Sequence, residues 1–269
     1  MMNRQAVAPA ATTWGAGEYE LMATKLDAAA EAAVRRAEIT IDDRVLDVGC
    51  GTGNVALRAA ESARHVVGVD LEPSLLQKAQ ARADAKQSIA KFVNGDACAL
   101  PFPDQAFTAV ISVFGAMYAP DQGAAAGELS RMCASGGRVV LTAWLPDSFM
   151  PLMGRVVAPY LPAAPPGASS PMTWGSADQL TSLLARAGLV VRTQSSEDLR
   201  IHLDDRATAV DFLIRTAGNV VGERDRLTRN GQWSSLLSDL RSLVDRQNQA
   251  AGPGVELRLA YLITVAVPG

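Results

Sequence analysis

Across residues 45–143, short β-branched apolar runs alternate with stretches whose apolar residues recur at helical spacing. Near-continuous apolar strands belong to parallel sheets that helices cover on both faces, so the alternation predicts an α/β fold. Strands are expected at Arg44–Val48, His65–Asp70, Lys91–Asn94, Phe107–Val113 and 138–143, with helices starting near Gly53, Pro73 and Asp121. Proline suits a first helical turn and aspartate an N-cap. Gly136 and Gly137 are expected to end the helix after Asp121 through a left-handed turn. Ahead of this unit, Met22, Leu26, Ala29, Ala33 and Ala37 form one helical stripe. Glu18 and Glu20 stand at its start and Arg35 and Arg36 at its end, as the helix dipole favours, so a single helix is expected over 18–37.

After Trp144 the alternation stops. Seven prolines fall between residues 146 and 171, which reads as an irregular insertion with one short helix near 149–158. A helix at 176–187, a strand near 189–203, two or three helices within 205–249 and a closing strand at 256–267 follow. The division expected is a core with its N-terminal helix at 1–145, a Pro-rich insertion at 146–175, and the end of the core sheet at 176–269 with a helical cap at about 205–249.

The 269 residues are 48% apolar and 20% charged, enough for a full core. A net charge of −3 and a pI near 5.5 supply no positive field for nucleic acid or anionic lipid, so no nucleic-acid partner is expected. No apolar run approaches the roughly 18 residues of a membrane span. The N-terminus lacks the apolar stretch of a signal peptide, and three scattered cysteines suit a reducing compartment, so the expectation is cytoplasmic. With only His65 and His202, no His/Cys cluster has metal-ligand spacing, and no metal is expected.

The chemistry concentrates in Val45-Leu46-Asp47-Val48-Gly49-Cys50-Gly51-Thr52-Gly53-Asn54. A buried strand runs into glycines that open a helix, as needed where a ligand lies against the backbone. The dinucleotide fingerprint G-x-G-x-x-G would need glycine where Asn54 stands, and the P-loop lysine is missing. Asp47 on the strand would repel a pyrophosphate and attract an ammonium. The ligand implied is a nucleoside with a cationic tail and no phosphate. Asp70 closes the second strand about 20 residues on, where a carboxylate can accept both ribose hydroxyls, or instead cap the Pro73 helix, a role Glu72 fits as well. After the third strand, Asp96 could accept from an adenine amino group while Ala97 leaves room for the ring.

These segments resemble class I S-adenosylmethionine-dependent methyltransferases, close to the type 11 branch that includes the ubiquinone/menaquinone C-methyltransferases. The resemblance rests on residues 45–53, Val67-Gly68-Val69-Asp70-Leu71, Gly95-Asp96-Ala97 with Leu100-Pro101-Phe102, and Gly136-Gly137-Arg138, and covers roughly 14–144. It implies a doubly wound, mostly parallel seven-stranded sheet of the Rossmann-like type, with a cofactor-binding core and an inserted helical cap. It implies S-adenosyl-L-methionine as cofactor, held by Trp14, Tyr19, Asp47, Gly49, Gly51, Gly53, Asp70, Leu71, Asp96, Ala97 and Ser112. Thr108 and Ser135 depart from the family pattern, where aspartate and proline are usual, at structural positions.

The motifs are nearly silent on the acceptor. The fourth strand exits into Ser112-Val113-Phe114-Gly115-Ala116-Met117-Tyr118, without the Asn/Asp-Pro-Pro-Tyr/Phe of amino- and base-directed enzymes or a Pro-Cys nucleophile. Phe114, Met117, Tyr118, Trp144, Phe149, Met150, Met153 and Trp174 form the expected acceptor pocket, with core packing as the competing reading. A sulfonium is already an activated electrophile, so catalysis is chiefly alignment and exclusion of water. Tyr118 and His202 are the candidates should a base be needed. The expected reaction is in-line methyl transfer to a small, largely apolar acceptor, lipid-like, quinone or secondary metabolite. The alternative is a cofactor-binding protein without methyl transfer, either regulatory or a cyclase-type enzyme. The oligomeric state is open, with a homodimer among the options.

Overall fold

The computed structural model describes residues 14–163 and 170–269, with the side chain of Trp14 excepted. The expected role of Trp14 rests on that side chain and so lies outside what is described. The chain opens with α1 (Tyr19–Lys25) and α2 (Asp27–Ala37), then β1 (Arg44–Val48), α3 (Asn54–Ala59), β2 (His65–Asp70), α4 (Pro73–Ala85) and β3 (Lys91–Asn94). There follow β4 (Phe107–Val113), α5 (Gln122–Met132), β5 (Cys133–Trp144), α6 (Phe149–Val157), α7 (Ala177–Arg186) and β6 (Leu189–Leu203). Four helices, α8 (Arg206–Thr216), α9 (Gly218–Gly222), α10 (Arg224–Arg229) and α11 (Trp233–Gln247), precede β7 (Val255–Pro268).

The seven strands form one sheet in the order β3-β2-β1-β4-β5-β7-β6. The first five in that order run parallel, while β7 enters antiparallel between β5 and β6. Strand order reverses between β1 and β4, with Val45 opposite Ala109, and a crevice opens at such a switch point beyond the carboxyl ends of the strands. β1, β4 and the second half of β5 are buried almost throughout, so both faces are covered. Glu72 caps α4 by accepting from the Ser74 amide with Pro73 in the first turn, and Asp121 caps α5 through the Ala124 amide.

Three expectations are corrected. The helix over 18–37 is broken at Leu26, which closes α1 by donating to the Met22 and Ala23 carbonyls and lets α2 start afresh at Asp27. Its apolar stripe is buried all the same, α1 packing against α8 and α2 against α3, β4 and β5. α5 ends at Met132, before the two glycines, because Cys133 is already extended. Gly136, at φ +76°, instead makes a bulge inside β5, where pairing shifts from Phe107–Cys133 to Ala109–Arg138. The segment after β6 holds four helices rather than two or three, since Ala217 and Glu223 each end one helix and begin the next.

α11 packs against both α6 and α8, and α6 packs against β7, which brings this second group of helices over the carboxyl edge of the sheet. Among the described residues, no helix is long and apolar enough to cross a membrane.

Candidate functional site

The β1–α3 loop turns through three left-handed glycines, Gly49 (φ +71°), Gly51 (φ +52°) and Gly53 (φ +85°), a conformation side chains resist. The amides of Gly49 and Cys50 both donate to the Val69 carbonyl, at 2.8 and 3.0 Å, which ties the loop to the end of β2. The Tyr19 ring lies against Gly51, where a Cβ would sit 3.1 Å from Cε1. Gly51 donates its amide to Asp70 Oδ2 at 2.8 Å, and Glu72 donates to Asp70 Oδ1 at 2.9 Å. Asp70 therefore ties the loop to its own strand end, while each oxygen keeps a lone pair for a further donor.

These groups open on a cavity of about 370 Å³ at the carboxyl edge. At the end beyond β1, β2 and β3, which are neighbours in the sheet, stand Gly49, Gly51, Asp70, Leu71, Asp96 and Ala97, with Tyr19 beside them. Asp96 is fixed by accepting from the Cys98 amide at 2.8 Å. The loop that carries it is pinned by Arg131, which donates to the Leu100 and Phe102 carbonyls and to Glu128 and Asp104. The other end, beyond β4 and β5 and under α6, is apolar, walled by Phe114, Trp144, Met150, Met153, Val157 and Leu161, with Tyr118 at its side. Phe114 holds φ at +53° and stacks on Trp144 with ring centroids 3.6 Å apart and planes at 4°. Burial pushes the Tyr118 phenol up to about 12 even though 37% of the residue is accessible, because its hydroxyl end is packed against protein.

Asp47 does not face this cavity. It is 1% exposed, accepts from the Ala56 amide at 3.0 Å, and lines a small adjoining recess that shares Tyr19, Leu26 and Gly49 with the cavity. Burial, offset in part by that hydrogen bond and reinforced by Asp70, pushes Asp47 up to about 8. Burial raises Asp70 as well, against its backbone hydrogen bonds. Neither carboxylate has a cationic partner among the described residues.

Other expected site residues are elsewhere. Gly53 packs on the Phe92 ring, 2.9 Å from a notional Cβ, and so serves the turn and helix packing. Ser112 spends its hydroxyl inside the fold, donating to the Val48 carbonyl at 2.6 Å and accepting from the Ala116 amide at 2.9 Å. Met117, Phe149 and Trp174 are each 1% exposed in the core behind the cavity. His202 projects from the exposed side of β6 beside Glu256, 3.4 Å away, and is remote from the cavity because the alternation of β6 turns it outward.

The cavity also gathers Glu72, Met22, Thr216, Ala217, Asn219 and Val220, which motif reading missed. Glu72 stands two residues beyond Asp70, a spacing that could have flagged it. The last four come from the end of α8 and from α9, where no motif marks them.

The comparisons with known proteins agree with this geometry. Residues 45–137 match the family described as Methyltransferase domain. The chain is 34% identical over 255 residues to Uncharacterized protein Rv1405c of Mycobacterium tuberculosis, covering 94% of this chain and 92% of that protein. It is 31% identical over 220 residues to demethylmenaquinone methyltransferase of Thermus thermophilus, covering 71% of this chain and 97% of that protein. In fold it matches the YcgJ protein from Bacillus subtilis with a TM-score of 0.63 at 20% identity, over 90% of this chain and 99% of that one.

Proposed function

The chain belongs to the class I S-adenosylmethionine-dependent methyltransferases, and from that premise we propose that it methylates a small, largely apolar acceptor held in the apolar half of the cavity. The observation that carries this reading is the division of one continuous cavity into a carboxylate-and-glycine end and an aromatic-and-methionine end. The residues at the first end fit the cofactor. Asp70 at this end and Asp47 in the adjoining recess are buried acidic groups able to take hydroxyl donors or a cation, and the glycines keep the backbone free of side chains.

On this reading Gly49 and Gly51 pass beside the methionine part, Asp47 orients its ammonium across the shared wall, and Asp70 accepts from the ribose. Asp96 holds the adenine, with Leu71 and Ala97 against the ring, and Tyr19 covers the loop. When bound, S-adenosylmethionine supplies a methyl group already activated by the sulfonium charge. The chain's own work is to fix the acceptor in line with that methyl and to keep water out. Phe114, Trp144, Met150 and Met153 do so by supplying apolar walls. Tyr118, with its raised phenol, stays protonated at neutral pH and donates a hydrogen bond rather than acting as a base.

The Thermus thermophilus relative is named for demethylmenaquinone, which makes quinols the first acceptors to try. Lipid-like phenols and fatty acids follow from the same apolar walls. The test is incubation with S-adenosylmethionine and such a panel, with S-adenosylhomocysteine followed by chromatography. Turnover with an apolar member supports the reading. Turnover confined to charged, hydrophilic acceptors contradicts it.

A further inference from the structure

Trp144, Tyr261 and Glu197 stand side by side on three adjacent strands. Trp144 on β5 is registered opposite Tyr261 on β7, and Tyr261 is registered opposite Glu197 on β6. Directly opposed residues of antiparallel strands project from the same face, so the three side chains form one row across the sheet. The Tyr261 ring, 2% exposed, meets Phe114 edge-to-face at 5.5 Å and 80°. Phe114 in turn stacks on Trp144, and the stacked pair walls the apolar half of the cavity. At the other end of the row the Tyr261 hydroxyl donates to Glu197 Oε2 at 3.0 Å, and Glu197 Oε1 receives Arg36 of α2 at 3.0 Å.

Phe114 does not adopt its position freely. At φ +53° it sits in a region that costs a non-glycine residue of order 1–3 kcal/mol and persists only where surrounding structure over-determines it. Its amide is shared between the Thr142 carbonyl and hydroxyl, at 3.3 and 3.1 Å, which fixes the backbone but leaves ring rotation open. The ring is fixed by its two aromatic neighbours. Of these, Tyr261 is the one tethered at its far end by a charged hydrogen-bond partner, and such bonds are the strong ones.

We infer that Tyr261, anchored by Glu197 and Arg36, is a positioning residue that sets the Phe114–Trp144 wall and thereby the shape of the acceptor half of the cavity. The inference rests on the apolar-acceptor reading above only for the use made of that wall. The anchor begins at a half-buried ion pair between α2 and β6 and ends at the cavity, so a change outside the cavity reaches the acceptor without touching the cofactor end.

The experiment compares wild type with Tyr261→Phe, which keeps the ring and removes the anchor, with Glu197→Ala, and with Glu197→Gln, which can still accept from the hydroxyl. Arg200→Gln, which removes an exposed ion pair from β6 to Glu256 on β7, controls for loosening of the β6–β7 edge. Near-ultraviolet circular dichroism reports the aromatic stack without any ligand. The neutral naphthalene dye prodan, by its blue-shifted emission, reports the apolar half. Calorimetry with S-adenosylhomocysteine reports the cofactor end. Tyr261→Phe and Glu197→Ala are expected to alter the aromatic dichroism and weaken prodan at least threefold, with nucleoside affinity within twofold of wild type. Glu197→Gln, which keeps an acceptor but loses the charge and the Arg36 ion pair, is expected to fall between wild type and Glu197→Ala, and Arg200→Gln to stay near wild type. Unchanged dichroism in Tyr261→Phe and Glu197→Ala overturns the inference, as does an equal change in Arg200→Gln. If wild type itself takes no prodan, the apolar-acceptor reading falls, and the dichroism still decides whether Tyr261 sets the stack.

Discussion

Gly49 and Gly115 bring the ends of β1 and β4 so close that a Cβ on Gly49 would stand 2.7 Å from the Gly115 Cα, and one on Gly115 2.8 Å from the Gly49 Cα. This contact sits at the switch point of the sheet, and both glycines line the cavity. It sets the first prediction. Gly115 has no positive φ, so Gly115→Ala adds a clash without backbone strain and is expected to cost about 1–3 kcal/mol as overpacking. By pushing the Gly49 loop it also weakens S-adenosylhomocysteine roughly tenfold, since a 1.4 kcal/mol loss is tenfold. Gly127→Ala, with no atom near its Cβ in α5, is the control and gains about 0.5–1 kcal/mol. Calorimetry and urea unfolding of the two variants check both statements, and equal behaviour of the pair refutes the contact's importance.

Asp70→Ala is expected to weaken the cofactor by about 1.5–3 kcal/mol, the range for hydrogen bonds to a charged group, while Glu72 goes on capping α4. Asp70→Asn keeps the shape and one acceptor and falls between. Titration with S-adenosylhomocysteine measures this, and an unchanged dissociation constant would leave Asp70 as a loop tie only.

Asp47 gives a pH dependence of defined sign. Its folded value near 8 lies above the ordinary 3.8, so between them the folded protein holds a proton that the unfolded chain has released. That contribution to stability is present below about pH 4 and is lost as pH rises through 8. Asp47→Asn removes it, so melting temperatures at pH 6 and 8.5 should show the variant gaining on wild type at the higher pH. A cationic ligand that needs the carboxylate ionised binds wild type more tightly as pH rises over the same window, and Asp47→Asn loses that slope.

Asp43 behaves in the opposite sense. Burial alone would raise it, but hydrogen bonds from Arg138, Thr108 and the Thr40 backbone hold it well below the usual carboxylate range. Its stabilisation is present above the ordinary 3.8 and is lost as pH falls further. Thr108 joins this network by donating to Asp43 at 2.6 Å while accepting from the Arg44 amide. Arg138→Met leaves Asp43 buried and unpaired and is expected to cost about 3–5 kcal/mol at pH 7 in urea unfolding. Asp43→Asn is expected to flatten the stability loss between pH 5 and pH 3.

The sheet was legible because buried parallel strands spell out their apolar runs, and the β1–α3 loop because left-handed turns demand glycine. Asp70 and Asp96 could be found by their places at strand ends. The apolar side of the site was legible only in part, since Phe114 and Trp144 at the cavity are chemically the same kind of residue as Phe149 and Trp174 in the core behind it. Ser112 reads as a ligand contact until its hydroxyl is seen to bridge Val48 and Ala116. Ala217, Asn219 and Val220 were invisible because helix ends that merely approach a cavity carry no motif. The bulge at Gly136 escaped notice because a glycine pair after a helix more often ends the helix than kinks the next strand.

The claim that one cavity holds methyl donor and apolar acceptor at opposite ends is tested most directly by transfer of labelled methyl from S-adenosylmethionine in wild type and Met150→Asp. Met150 is partly accessible on the apolar wall, so a carboxylate there is tolerated by the fold but charges the acceptor half. Wild type is expected to transfer methyl to an apolar phenol, quinol or fatty acid. The variant, which must desolvate the new charge, is expected to lose about a hundredfold or more, with S-adenosylhomocysteine affinity within about twofold. Undiminished transfer by Met150→Asp, or loss of nucleoside binding in step with transfer, would contradict the claim.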